Sequence, residues 1–213
     1  MFHLRLFGGA SLEREDGSPL TGRAAQRQRL ALLARLACAP ASGVSREKVL
    51  ALLWPESDTE RARNRLNVSI YELRKALGDA AIVSRGDDVR LNADVVRADV
   101  AEFDAALGRG DHEAAAALYR GPFLDGLFVA DAPEFERWSD AERDRLAGAY
   151  ARALEALAEA AERRRDFQGA AELWRKRAAH DPYDSRVAMC LMRALDAGGN
   201  RAGALQHASL HER

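Results

Sequence analysis

"RARNRLNVSIYELRKALG", residues 61–78, combines a helical pattern with a concentration of positive charge. At 100° per residue, one narrow stripe of the helix is apolar and consists of Ala62, Leu66, Ile70, Leu73 and Leu77. The opposite face is mostly polar and carries Arg61, Asn64, Asn67, Val68, Tyr71 and Lys75, flanked by Arg63, Arg65 and Arg74. We therefore predict an amphipathic helix with an apolar back and a basic, amide-bearing front.

Both ends of this helix have boundary signals. Ser57 and Glu60 form the S-x-x-E pattern of a capping box, in which each side chain bonds a free N–H of the first turn. Gly78 stands where a helix commonly ends on a glycine. We expect the helix to begin just after Ser57 and to end before Gly78.

The charged face has two interpretations. Most such faces are simply solvated surface. The alternative is a helix in the major groove of DNA, where Arg and Lys neutralise phosphates and Asn pairs with adenine through two hydrogen bonds. The stretch alone does not decide between them, so the rest of the chain must.

The charge of the chain is unevenly distributed along its 213 residues, whose formal total is −1. Residues 1–98 contain 16 Lys and Arg against 12 Asp and Glu, a net charge of +4. Residues 99–213 contain 16 against 21, a net charge of −5. This asymmetry favours a nucleic-acid-binding module joined to a second kind of module.

The elements around the basic helix fit one motif. Residues 2–7, "FHLRLF", alternate like a strand and are followed by turn signals of a small antiparallel sheet. Helices are predicted over 24–38 and 46–53, the second capped by Ser45. After the basic helix, "IVS" and "VRL" flank the turn at 85–88 and indicate a β-hairpin. Strands, three helices and a hairpin are the order of a winged helix-turn-helix.

From Asp94 onward we find no strand signals, and Ala-rich helical patterns continue to the end, including a long helix at about 134–164. Asp166 and Asn200 are 34 positions apart, as are Gly169 and Gly203. This spacing is the tetratricopeptide period. The alternative is an unrelated helical bundle whose composition imitates a repeat.

The predicted fold class is mainly α, in two domains. Residues 1–93 form a winged helix-turn-helix of the α+β class, and residues 94–213 form an all-α, tetratricopeptide-like repeat domain. The last predicted helix lacks a stop signal, so we expect the natural protein to continue beyond Arg213.

Several of these stretches resemble a known family. "RQRLALLARLA", "GVSREKVLALLWPES" and the basic helix are similar to the DNA-binding half of the Streptomyces antibiotic regulatory protein (SARP) family, an OmpR-type winged helix. The Ala-rich remainder, with "LYRGPFLDGL" and "FERW", resembles its partner, the bacterial transcriptional activation domain. The resemblance implies a bacterial transcription activator that binds double-stranded DNA at promoter direct repeats. It also implies that the helical domain supports self-association on DNA, as a homodimer, and contact with RNA polymerase.

The resemblance places the recognition helix at residues 59–77. It implies that the base-facing side chains are Asn64, Asn67, Val68 and Tyr71. We expect phosphate contacts from Arg27, Arg61, Arg63, Arg65, Arg74, Lys75, Arg85 and Arg90. The wing departs from the family, because Asp87 and Asp88 stand where a Gly-aromatic pair is common. Two carboxylates repel phosphate, so we expect a weak wing contact, with Arg85 and Arg90 as its remaining cations.

Enzyme classes are poorly supported. "HEAAA" at 112–116 lacks the second histidine of a zinc-protease motif, and neither a P-loop nor a G-x-S-x-G elbow occurs. His207 and His211 are spaced i, i+4, but no cysteine is near them, so we interpret them as surface residues. We predict no catalytic residue, metal or cofactor.

The chain also lacks membrane signals. It has no apolar run of 18 residues and no signal-peptide core, so we expect no membrane association and a cytoplasmic location. Cys38 and Cys190 are predicted to be buried small residues rather than a disulfide, which fits a reducing compartment.

One alternative function stays open, a tetratricopeptide-type scaffold for protein recognition whose winged helix does not bind DNA. The +4 half and the Asn/Arg face argue against it.

A cluster of aromatic side chains has a similar ambiguity between core and contact surface, and we favour core for Tyr119, Phe123, Phe128, Phe135 and Trp138.

Overall fold

A computed structural model of the protein describes residues 1–211, with the side chains of residues 1–209. Its contacts divide the chain into two compact units. The first contains residues 1–105 and 118–146, and the second contains residues 106–117 and those from Ala147 onward. The predicted domain boundary after residue 93 stays a prediction, and these units are divided at other positions.

The N-terminal sheet of the first unit has the strand order β2-β1-β6. As predicted, β1 (Phe2–Arg5) and β2 (Ser11–Arg14) pair antiparallel. The expectation that strands end before Asp94 is wrong, because β6 (Val96–Ala98) pairs parallel with β1. Three residues are too few to show alternation in the sequence, and the partner of β6 is more than 90 positions away.

Asp99 links this sheet to the next helix, α4 (Asp99–Gly108). Its buried carboxylate accepts the backbone N–H groups of Leu6 (2.9 Å) and Phe7 (3.2 Å). Burial raises the pKa of this carboxyl, and the N–H donors oppose that shift. Just beyond, Leu6 O accepts Leu124 N at 2.8 Å. A chain ending at residue 93 would lose β6, Asp99 and this connector.

The helix-turn-helix and hairpin follow as predicted. Their bounds are α1 (Arg27–Ala37), β3 (Val44–Ser45), α2 (Arg46–Leu53), α3 (Thr59–Leu77), β4 (Ile82–Arg85) and β5 (Asp88–Leu91). A 3₁₀ turn at Asp79–Ala81 separates α3 from β4, and the strand order is β3-β5-β4. The first helix is shorter than the predicted 24–38, whereas α2 matches its prediction and is capped by Ser45.

Gly43 allows β3 to lie against the hairpin. Its φ is +94°, and a Cβ there would lie 2.8 Å from the carbonyl oxygen of Val89. A larger residue would meet both backbone strain and a backbone clash. Gly43 therefore sets the close approach of the segment that leads into α2.

The basic helix α3 is amphipathic as predicted, and its apolar stripe is buried. Gly78 ends it with a φ of +97°, which confirms the C-terminal signal. The predicted Ser57–Glu60 capping box is wrong, because Asp58 is the N-cap and accepts Arg61 N at 3.0 Å. A carboxylate is favoured over a hydroxyl at the positive end of a helix. Ser57 instead accepts a hydrogen bond from Arg65 Nη1 at 3.3 Å.

The connector between α5 (His112–Leu118) and α6 (Pro133–Arg163), together with the first turns of α6, contains the aromatic cluster. Phe123 and Phe135 are fully buried, and Tyr119 and Trp138 are partly buried. Trp138 contacts Phe123 with ring centroids 5.9 Å apart. The core prediction is confirmed for these four and is wrong for Phe128, which is 58% exposed.

In the second unit, α7 (Phe167–His180), α8 (Ser185–Ala197) and α9 (Arg201–His211) pack in succession. The 34-residue spacing has a structural counterpart, since Asp166 caps α7 by accepting Gly169 N and Asn200 accepts Gly203 N, both at 2.9 Å. The core consists of small residues around a few large ones, including Ala158, Ala161, Ala170, Trp174, Val187 and Leu191. The tetratricopeptide-like prediction is confirmed.

An ion network around one buried arginine joins three helices of this unit. Arg177 of α7 donates through Nε to Glu155 of α6 at 2.8 Å and through Nη2 to Asp184, the N-cap of α8, at 3.1 Å. Arg186 of α8 also contacts Glu155 at 2.8 Å. Arg177 is 8% exposed, and these carboxylates compensate its buried charge.

Both cysteines are free thiols. Cys190 lies in the core of the second unit, as predicted, and Cys38 is partly exposed in the first. Burial is the main cause that raises the pKa of the Cys38 thiol to about 12, so it stays protonated at neutral pH.

Candidate nucleic-acid interface

The front of α3 is exposed. Asn64 and Asn67 are open to solvent, Val68 is 46% exposed and Tyr71 is 62% exposed. These are the side chains predicted to face bases. Amides flanked by an exposed valine and tyrosine suit base edges, which offer both hydrogen-bonding groups and the thymine methyl.

Asn67 already has a partner within the protein. Arg46 Nη1, from the first residue of α2, donates to Asn67 Oδ1 at 2.9 Å. Arg46 is not among the site residues predicted from the sequence. Its position at the start of the helix before α3 was visible in the sequence, but its reach to Asn67 was not.

Three of the predicted phosphate contacts have partners inside the first unit. Arg61 pairs with Asp58 at 3.1 Å, and Arg65 bonds Ser57. Arg74 donates to the carbonyl oxygen of Ile82 through Nε (3.0 Å) and Nη2 (2.7 Å) and reaches Ser84 Oγ at 3.3 Å. Arg74 therefore fastens α3 to β4, which leaves less of its guanidinium for a phosphate.

The other predicted phosphate contacts are exposed. Within residues 1–209 their side chains form no ion pair or hydrogen bond, and they are Arg27, Arg63, Lys75, Arg85 and Arg90. An exposed cation without an internal partner keeps its charge for an external anion. These five are the strongest candidates for phosphate contacts.

Pockets on the first unit separate the predicted residues into groups. Two of these pockets share Arg46 and Asn67; one is also lined by Arg63 and Asp87, and the other by Tyr71 and Lys75. Another pocket is lined by Arg27, Arg65, Trp54 and Phe128, among others. The structure thus brings Asn67, Tyr71 and Lys75 together with Arg46, and it places Arg27 and Arg65 apart from them.

The hairpin between β4 and β5 turns through Gly86, whose φ is +60°. Its tip presents Arg85, Asp87 and Asp88, all exposed. The carbonyl oxygen of Asp87 accepts the backbone N–H of Arg46 at 2.9 Å, which ties the tip to the start of α2. The mixed charge agrees with a weak wing contact, which stays a prediction.

Within the described residues, no cluster of His, Cys, Asp and Glu is arranged to hold a metal ion, and the side chain of His211 lies outside them. None of the helices described is both long and apolar enough to cross a membrane.

These features define the fold of the first unit as a winged helix-turn-helix whose basic helix α3 has an exposed front. The family model for the C terminal of transcriptional regulatory proteins matches residues 23–85, and the bacterial transcriptional activator domain model matches residues 87–209. The chain belongs to the bacterial transcriptional activator domain family and has the domain combination of SARP regulators. The family resemblance found in the sequence is confirmed.

A solved structure supports the fold. Mycobacterium tuberculosis EmbR, in complex with a low affinity phosphopeptide, aligns with a TM-score of 0.68 and 21% identity over 97% of this chain. This chain spans 57% of the length of the EmbR chain. At that identity the likeness establishes the fold. None of the curated proteins searched is significantly similar in sequence.

Proposed function

We propose that this protein is a sequence-specific, DNA-binding transcription activator whose helix α3 reads the major groove. The observation that carries the proposal is the front of α3. It exposes Asn64, Val68 and Tyr71 beside the cations Arg63 and Lys75, whose side chains have no partner among residues 1–209. Amide and apolar groups recognise base edges, and the cations supply the phosphate contacts that position them.

The second unit serves a different partner in this proposal. Stacked helical repeats form surfaces for proteins, so we assign self-association and contact with RNA polymerase to this unit. The protein acts in the bacterial cytoplasm on promoter direct repeats and has no catalytic role or cofactor.

The first experiment selects bound sequences from a random duplex library with the full chain at low salt. We expect an enriched motif that occurs as a direct repeat, because one winged helix reads one half-site. A library that stays random would contradict the proposal and favour the protein-recognition scaffold. A single enriched half-site would retain DNA recognition but contradict binding to repeats.

The second experiment tests self-association on a site with two repeats. Two winged helices on one DNA face require repeats about one helical turn apart. Inserting about half a turn (~5 bp) should abolish cooperative binding, whereas inserting about a full turn (~10 bp) should preserve much of it. Equal binding at every spacing would show that the second unit does not couple neighbouring copies. The full chain is used because residues 1–93 lack β6 and Asp99.

A further inference from the structure

The contact between Arg46 and Asn67 fixes which way the Asn67 amide faces. Arg46 Nη1 lies 2.9 Å from the amide oxygen of Asn67. A guanidinium has only hydrogen-bond donors, so the atom of Asn67 that meets it must be the oxygen. The amide nitrogen, with its two N–H groups, is therefore directed away from Arg46.

Arg46 is well placed to hold this orientation. Its backbone N–H donates to the carbonyl oxygen of Asp87 at 2.9 Å, and Ser45 before it caps α2. Ser45 also pairs with Asp88 in the β3–β5 ladder. The backbone of Arg46 is thus anchored to the hairpin, while its side chain crosses to the front of α3.

This orientation changes what Asn67 offers a base. A free asparagine reads adenine by accepting from N6 and donating to N7. Here the Asn67 oxygen already accepts from a guanidinium. The adenine N6 amino group is also a donor, so its positive hydrogens would approach the positive guanidinium and be repelled. The Arg46–Asn67 pair presents mainly N–H donors, and guanine offers two acceptors, O6 and N7, in the major groove.

We infer that Arg46 is a specificity-determining residue which, by holding the oxygen of Asn67, makes this position of the interface select guanine rather than adenine. The inference rests on the proposed function and deepens it. Excluding water at the DNA surface strengthens a charge-assisted hydrogen bond of this kind, so the pair persists in the complex.

The test compares sequence selections by the full chain and its variants Arg46→Met, Asn67→Ala and the double variant. Asn67→Ala identifies the base pair that Asn67 contacts, because the selected sequences should lose their base preference at that position. At that base pair the unmodified protein should prefer guanine. Arg46→Met should move the guanine-to-adenine ratio toward adenine by about tenfold, within the range of one good bidentate contact. In the double variant, replacing Arg46 should have no further effect there.

Lys48→Met is the matched control, because Lys48 is an exposed cation on the same helix and is not hydrogen-bonded to Asn67. It should leave the ratio unchanged. If Arg46→Met instead weakens all sequences alike, Arg46 is only a phosphate contact and the inference fails while DNA recognition stands. If the unmodified protein enriches no sequence, the proposed function fails.

A second measurement does not depend on DNA. In the free protein, the side-chain amide NMR signals of Asn67 should shift in Arg46→Met and stay in place in Lys48→Met. The hydrogen bond alone predicts this difference. Unshifted Asn67 signals in a folded Arg46→Met variant would overturn the inference even if DNA binding were intact.

Discussion

Helices α3 and α8 are built alike but use their polar faces differently. Both bury one apolar face, and both begin with an aspartate that accepts the N–H three residues on, Asp58 from Arg61 and Asp184 from Val187. In α8 the cap aspartate also accepts from Arg177, and backbone and arginine contacts lower its pKa. In α3 the cap aspartate pairs with the exposed Arg61.

The two units differ in whether their charged side chains have partners inside the unit. In the second unit, charged side chains pair with one another, because Arg177 of α7 and Arg186 of α8 form ion pairs with Glu155 of α6. The first unit leaves Arg63 and Lys75 of α3 exposed and unpaired among the residues described. Similar amphipathic helices can therefore serve internal packing in one unit and an external anion in the other.

The largest expected effect comes from removing the arginine at the centre of the ion network in the second unit. Arg177→Met should lower the free energy of unfolding by about 2–3 kcal/mol, because it removes the charge-assisted hydrogen bonds of a buried guanidinium to the partly exposed Glu155 and Asp184. Chemical denaturation followed by circular dichroism measures the loss. The matched control Arg186→Met removes an exposed partner of the same network and should cost less than about 1 kcal/mol. Equal costs for the two would contradict a buried, Arg177-centred network.

The next effect concerns the front of α3. Asn67→Ala should cost about 1–3 kcal/mol on the cognate site and relax base preference at one position. Lys75→Ala should weaken binding to all sequences alike, since a phosphate contact carries no sequence information. Titrations on cognate and scrambled duplexes separate the two. The same sequence-independent loss for both variants would contradict the groove-facing register.

Local signals in the sequence were sufficient for much of the fold. The bounds of α2, the end of α3 at Gly78 and the β4–β5 hairpin were predictable because caps, turns and periodicity lie within a few residues of each other. Strand β6 was missed because its pairing with β1 depends on contacts over more than 90 positions. The N-cap was misplaced by one residue because Ser57 and Asp58 are both good capping residues.

The sequence was sufficient to predict which face of α3 is exposed, but not which groups its side chains bond to. Helical periodicity correctly predicted that Asn64, Val68 and Tyr71 are exposed. It carried no information on Arg74, which bonds the carbonyl of Ile82, or on Arg46, which bonds Asn67. Periodicity gives the direction of a side chain, whereas its partner depends on how neighbouring elements pack.

A smaller effect concerns salt. With about 4–6 phosphate contacts, the logarithm of affinity should fall with the logarithm of salt concentration with a slope of roughly −4 to −5. Arg63→Ala should reduce that slope by about 1 and leave stability nearly unchanged. Arg74→Ala should reduce the slope less and also destabilise the fold, because it releases the Ile82 carbonyl. Binding that does not vary with salt would contradict the DNA proposal.

The smallest expected effect is on stability and compares the exposed apolar side chains of the two helices. Tyr71 of α3 is 62% exposed and Met189 of α8 is 56% exposed. Replacing either by alanine should change the free energy of unfolding by less than about 0.5 kcal/mol, because neither packs in a core. DNA titration should separate them, since Tyr71→Ala should weaken cognate binding and Met189→Ala should not. A loss of stability in Tyr71→Ala well above that bound would mean that the front of α3 serves internal packing, as the face of α8 does, and is not reserved for DNA.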